Sequence, residues 1–120
     1  MSDIKSYRDL IVWQKAMVLV KDVYESSKTF PKDELFGLTQ QLRRSIVSVP
    51  SNIAEGSGRG TTKDYIRFLQ IARGSLFEAQ TQIELSHDLL FLSDTKTKDI
   101  LSSCNEIERM LNALITKLSV

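Results

Sequence analysis

A chain of 120 residues, 42% hydrophobic and 26% charged, has the size and make-up of one small globular domain spanning residues 1–120. Its 16 basic and 15 acidic residues leave a net charge of +1, so there is no chain-wide basic signal for nucleic acid. The single cysteine, Cys104, excludes an internal disulfide framework, and no apolar run reaches the roughly 18 residues of a membrane span.

The opening MSDIKSYRDL carries no apolar leader core. With one thiol suited to a reducing compartment, the expectation is a cytoplasmic protein with no membrane contact. Five glycines and two prolines leave few places to turn, so the elements should be few and long.

The first helix is expected over about residues 8–28. Leu10, Trp13, Met17, Val20 and Tyr24 step by three and four, which is a helical seam. Phe30-Pro31 ends it, because the residue before a proline is pushed out of the helical region. The second helix is expected over about 32–56, with Leu35, Leu38, Leu42, Ile46, Val49 and Ile53 as its seam. Asp33 and Glu34 suit its start. Pro50 falls inside the pattern, which continues past it, so a bend is expected rather than a stop.

In VPSNIAEGSGRGT, Gly56, Gly58 and Gly60 lack the spacing of a phosphate-binding or dinucleotide loop, and no strand precedes them. They read as helix punctuation. Gly56 or Gly58 closes one helix in the left-handed conformation, and Thr61 or Thr62 caps the next. The third helix is expected over about 62–91, through Tyr65, Phe68 or Leu69, Ala72, Leu76, Ala79, Ile83, Ser86 and Leu90. The fourth runs over about 95–118, through Ile100, Cys104, Ile107, Leu111, Leu114 and Leu118. No strand pattern occurs. The fold class is all-α, an antiparallel up-down-up-down four-helix bundle. Ile11, Val12, Val18, Leu19, Val23, Phe36, Ile66, Phe77 and Phe91 lie off the seams and either widen the core or pack against another copy, of which self-association is the expectation.

Two polar features remain. Gln41, Ser45, Ser48, Asn52, Glu55 and Arg59 form a stripe on the second helix, answered by Ser75, Glu78 and Gln82 on the third. Such a stripe is a solvated face, a register-setting network, or a ligand or partner surface. Residues 35–73 carry six basic residues against two acidic ones, a local +4. Arg43, Arg44, Arg59, Lys63 and Arg67 are the candidate phosphate contacts, with RNA or DNA as partner.

Catalysis is not expected. His87 is the only histidine and its ELSH context occurs once, where a di-metal bundle needs paired ExxH motifs. Glu55 and Glu78 are the two carboxylates a bundle could bring together on a metal, but no metal or cofactor is expected. Cys104 sits on an apolar seam, which suits a buried inert thiol.

The run from Phe30 to Ile83 closely resembles the four-helix bundle family of 23S ribosomal RNA intervening-sequence proteins. The residues carrying the match are Phe30-Pro31, Glu34, Gly37-Leu38, Gln41 to Arg44, Ser48 to Gly56, Phe68-Leu69, Ala72, Gly74-Ser75 and Glu78. YRDLIVWQKA, with Leu10, Val12 and Trp13, matches too. The resemblance implies a bacterial, non-enzymatic bundle assembled as a ring-shaped homopentamer with a basic central channel. It also implies kinship with the accessory variability proteins of diversity-generating retroelements, which bind nucleic acid and partner a reverse transcriptase. Arg43, Arg44 and Arg59 fit the family's basic positions.

Overall fold

The computed structural model describes residues 5–120; the first four residues, read above for a leader, lie outside them. Four helices follow in order: α1 (Ile11–Ser27), α2 (Leu38–Ser57), α3 (Thr62–Asp88) and α4 (Asp94–Leu118). No strand occurs among the described residues. Short 3-10 turns at Tyr7–Asp9 and Lys32–Glu34 precede α1 and α2. The expected second helix is therefore interrupted, and α2 proper starts at Leu38 after Gly37.

Each helix packs on the next and α4 closes back on α1, while the backbones of the diagonal pairs stay farther apart. Side-chain pairs fix the directions. Ser45 meets Gln82 and Ser48 meets Ser75, so α2 and α3 are antiparallel. Arg73 donates to Asn112 at 2.8 Å across α3 and α4, and Lys15 pairs with Glu106 across α1 and α4. The result is an all-α antiparallel four-helix bundle about its expected seams, with one exception along a whole helix and two at single positions.

The helix-long exception is α1. Its buried residues are Val12, Ala16, Leu19, Val23 and Ser27, not the seam expected from the sequence. Of that expected seam, Leu10, Trp13 and Val20 pack on the edge of the core, and Tyr24 is exposed. Helix α1 is apolar on most of its circumference, so two seams share one period and only the neighbouring helices choose between them. In α2, Leu42, Ile46, Val49 and Ile53 are buried as expected, whereas Leu35 is exposed. In α3 the seam holds from Leu69 to Ser86 and fails at Leu90, which is 89% exposed.

Local chemistry accounts for the ends. Thr61 Oγ1 accepts from Asp64 N–H, and Ser93 Oγ accepts from Lys96 N–H, capping α3 and α4. Pro50 does not stop α2. In the adjoining turn, Ser51 Oγ donates to the Val47 carbonyl and Asn52 Nδ2 to the Ser48 carbonyl, supplementing the backbone ladder that the proline loosens. The glycines divide the work differently from the expectation. Gly56 is helical and buried, and Gly58 has φ −96°, so neither is left-handed. Gly60 is, with φ +86°. Among the described residues, no helix is long and apolar enough to cross a membrane.

Candidate functional site

The positive centre seen in the sequence does not form one patch. It separates into four places, one of them Arg44 between α2 and α3. Arg43 leans onto α1, donating through Nε to Ser27 Oγ at 2.9 Å, with its guanidinium 4.7 Å from the Tyr24 ring centre. Arg73 is turned to α4 by its bond to Asn112. Arg59, Lys63 and Arg67 gather at the α2–α3 tip, about 20 Å along the helix axis from Arg43 and Arg44 at 1.5 Å per residue.

At the tip, the Phe68 ring organises the cations. Arg59 lies 5.1 Å and Arg67 4.7 Å from its centroid. Each arginine also has a local carboxylate: Arg59 Nη1 is 3.2 Å from Glu55, and Arg67 Nε is 3.9 Å from Asp64. These are exposed pairs, worth at most about 1 kcal/mol each, and they exchange readily for another anion. Lys63 is exposed and has no ion-pair partner among the described residues.

The polar stripe becomes a cleft. Gln41, Arg44, Ser45, Ser48, Ser75 and Glu78 line a groove of about 420 Å³ between α2 and α3. Asn52 Nδ2 donates to Ser48 Oγ at 2.8 Å, and Ser48 and Ser75 share a bond of 2.9 Å. Ser45 bonds Gln82 at 2.7 Å. Gln82, which answers the stripe from α3, is only 6% exposed, so this part of the stripe is an interior polar contact rather than a solvated face. Glu55 and Arg59, the last members of the stripe, lie beyond the cleft at the tip. The antiparallel register also separates Glu55 from Glu78. Ser48 faces Ser75, so Glu55 stands near Phe68, some ten residues or about 15 Å from Glu78. The two carboxylates do not form a shared metal site.

No group of three or more His, Cys, Asp or Glu side chains among the described residues could hold a metal ion. Cys104 is fully buried, and burial pushes its thiol up to about 12. His87 sits at the α3–α4 turn, bonded to Asp94 and close to Asp88. The bond to Asp94 holds its pKa above the ordinary 6.5.

Sequence reasoning missed Phe68 as the platform for two arginines, and it missed that Arg44 shares a wall with the serines. Both follow from which helix faces meet. The sequence offered only the i, i+4 spacing of Lys63 and Arg67 and the parallel run of Arg44 beside Gln41 and Ser48 as a signal.

Comparison with known proteins places this architecture. A solved structure from Bacteroides thetaiotaomicron, described as a protein with unknown function from the S23 ribosomal protein family, superposes with a TM-score of 0.79. It is 22% identical, and the match covers 88% of this chain and 98% of that one. At that identity the likeness speaks for the fold alone. No curated protein sequence matches. The family model of the 23S rRNA-intervening sequence protein matches residues 8–113. The chain therefore belongs to the 23S rRNA-intervening sequence protein family.

Proposed function

We propose that this chain is a non-catalytic, cytoplasmic accessory protein that self-associates and meets nucleic acid through the α2–α3 tip. The observation that carries the reading is the Arg59–Phe68–Arg67 stack with Lys63 beside it. Stacking limits the freedom of two guanidiniums, so less entropy is lost when they meet phosphate. Nothing in the stack reads bases: both arginines occupy the aromatic ring, which leaves backbone contact without sequence preference. Family membership, under a name taken from ribosomal RNA, supports RNA over DNA as the first target.

Self-association rests on a second observation. Gly74 lies exposed in the middle of α3, and a Cβ there would meet nothing within 4 Å. Ile71 and Phe77, one turn away on either side, are 41% and 44% exposed. An open glycine between two uncovered apolar side chains suits close approach of another helix. A pentameric ring is the assembly expected. Sedimentation velocity tests it, and a monomer at micromolar concentration would remove self-association from the reading.

The nucleic-acid role is tested by anisotropy of a labelled structured RNA across several salt concentrations. Binding should weaken steeply with salt, and each tip cation replaced by Ala should flatten the slope by about 0.7–0.9. A slope unmoved by removing all three would sink the assignment. The second reading is a protein-interaction module that binds another protein, a reverse transcriptase among them, through the same apolar surface. A complex that survives nuclease treatment, with no RNA bound at low salt, would favour it.

A further inference from the structure

The cleft between α2 and α3 holds hydrogen-bonding capacity that the chain does not use. Arg44 on one wall and Glu78 on the other have no ion-pair partner among the described residues. They are opposite charges lining the same groove without pairing with each other. Between them, Ser48 and Ser75 share a single bond, while Ser48 already accepts from Asn52. Whichever way that pair points, one hydroxyl proton is left over.

Gln82 makes the same point more sharply. It is more than nine-tenths buried, and its one side-chain bond is to Ser45, a residue of the cleft wall. One end of its amide has no protein partner among the described residues. That end is not sealed in, because among the described residues the only buried polar side-chain atom without a partner is Ser26 Oγ. A buried amide left open toward solvent needs a partner, and water or a ligand can supply it.

We infer that this cleft binds a small zwitterion, an α-amino acid with a polar side chain. Arg44 takes the carboxylate, Glu78 takes the ammonium, and the Ser48–Ser75 pair meets the polar side chain, with Gln82 behind the wall on Ser45. The volume suits the class: about 420 Å³ holds such a molecule together with a few waters. A molecule with only one charge leaves either Arg44 or Glu78 unanswered. The site is separate from the cationic tip and does not depend on the nucleic-acid reading.

The test uses the isotope-labelled full chain. The polar α-amino acids are titrated one at a time while the side-chain amide signals of Gln82, Gln41 and Asn52 are followed. At least one should give saturable shifts with a midpoint below about 10 mM. Analogues of that amino acid lacking the amine or the carboxylate should bind at least about 10-fold more weakly, as should the Arg44→Gln and Glu78→Gln variants. Both positions are exposed, and unchanged circular dichroism would show that the variants fold. Linear, unsaturated shifts for every amino acid would overturn the inference. So would equal binding of the singly charged analogues. A change of sedimentation coefficient in either variant would also overturn it, since the cleft would then be a contact between copies.

Discussion

A Cβ atom placed on Gly56 would lie 2.7 Å from the Cβ of Phe68. The α2–α3 pair therefore closes on a residue with no side chain, and the same contact sets the ring on which Arg59 and Arg67 stack. The neighbouring Tyr65 carbonyl, 3.2 Å from the same point, leaves no route of escape. Gly56→Ala should lower stability by about 1–3 kcal/mol through overpacking, although alanine favours helices. Gly74→Ala, where nothing stands within 4 Å, should raise the stability of the single subunit by about 1 kcal/mol. Urea melts of the two variants measure both. If another copy packs on Gly74, the second variant should also shift the sedimentation profile toward smaller species.

Leu90 holds the position where helices often place glycine. Its φ is +68°, and the Phe91 N–H bonds the Ser86 carbonyl while the Leu90 N–H bonds that of His87. That is a Schellman ending with leucine at its left-handed residue. The side chain is 89% exposed and repays nothing by burial. Leu90→Gly should stabilise the protein by about 0.5–1 kcal/mol, read as a higher urea midpoint at constant m-value. A loss of stability would show that the leucine is covered in solution.

His87 and Asp94 link the last turn of α3 to the first turn of α4. Their bond raises the His87 pKa above 6.5 and lowers that of Asp94 below 3.8. Charged histidine is thus favoured in the folded state. Its contribution is present in full below 6.5 and is lost as pH rises through the raised value. The Asp94 contribution runs the other way and is lost as pH falls through its lowered value. The melting temperature should therefore decline as pH rises from 6.5 through the raised His87 value. Asp94→Asn should remove most of that slope and bring the His87 imidazole titration back toward its ordinary value, which one resolved proton signal reports.

Cys104 should resist thiol reagents in the native protein. It is fully buried, with its pKa pushed up to about 12, so the thiolate is scarce and screened. Labelling at neutral pH should follow unfolding, with one thiol released in denaturant. Fast native labelling would mean that α4 opens on its own.

Arg43 is a structural arginine on this geometry. Its bond to Ser27 and its place over Tyr24 tie α2 to α1. Arg43→Ala should cost about 1–2 kcal/mol of stability and leave the salt slope of RNA binding unchanged. A flattened slope would return it to the nucleic-acid surface.

The number of helices, their order and most of the core were legible before any coordinates, because a three-four apolar step constrains a long helix strongly. The failures came where that constraint is weak. In α1, Val12, Leu19 and Val23 compete with Trp13, Met17 and Val20 for the same period. In the linker before α2, Leu35 and Phe36 continue an apolar pattern outside the helix. At the α3 terminus, Leu90 keeps the step while the backbone has already turned.

Periodicity, composition and turn chemistry thus determined the four-helix bundle and its polar stripe, since these depend on each residue's near neighbours along the chain. Only the tertiary structure decided which face of α1 is buried, that Gly56 serves a helix contact, and that the basic residues part into separate groups. It also brought Arg44 and Glu78 to one cleft, with Gln82 bonded to Ser45 of its wall. Those outcomes depend on the rotation and register of one helix against another, and the sequence carries that only through packing across the whole core.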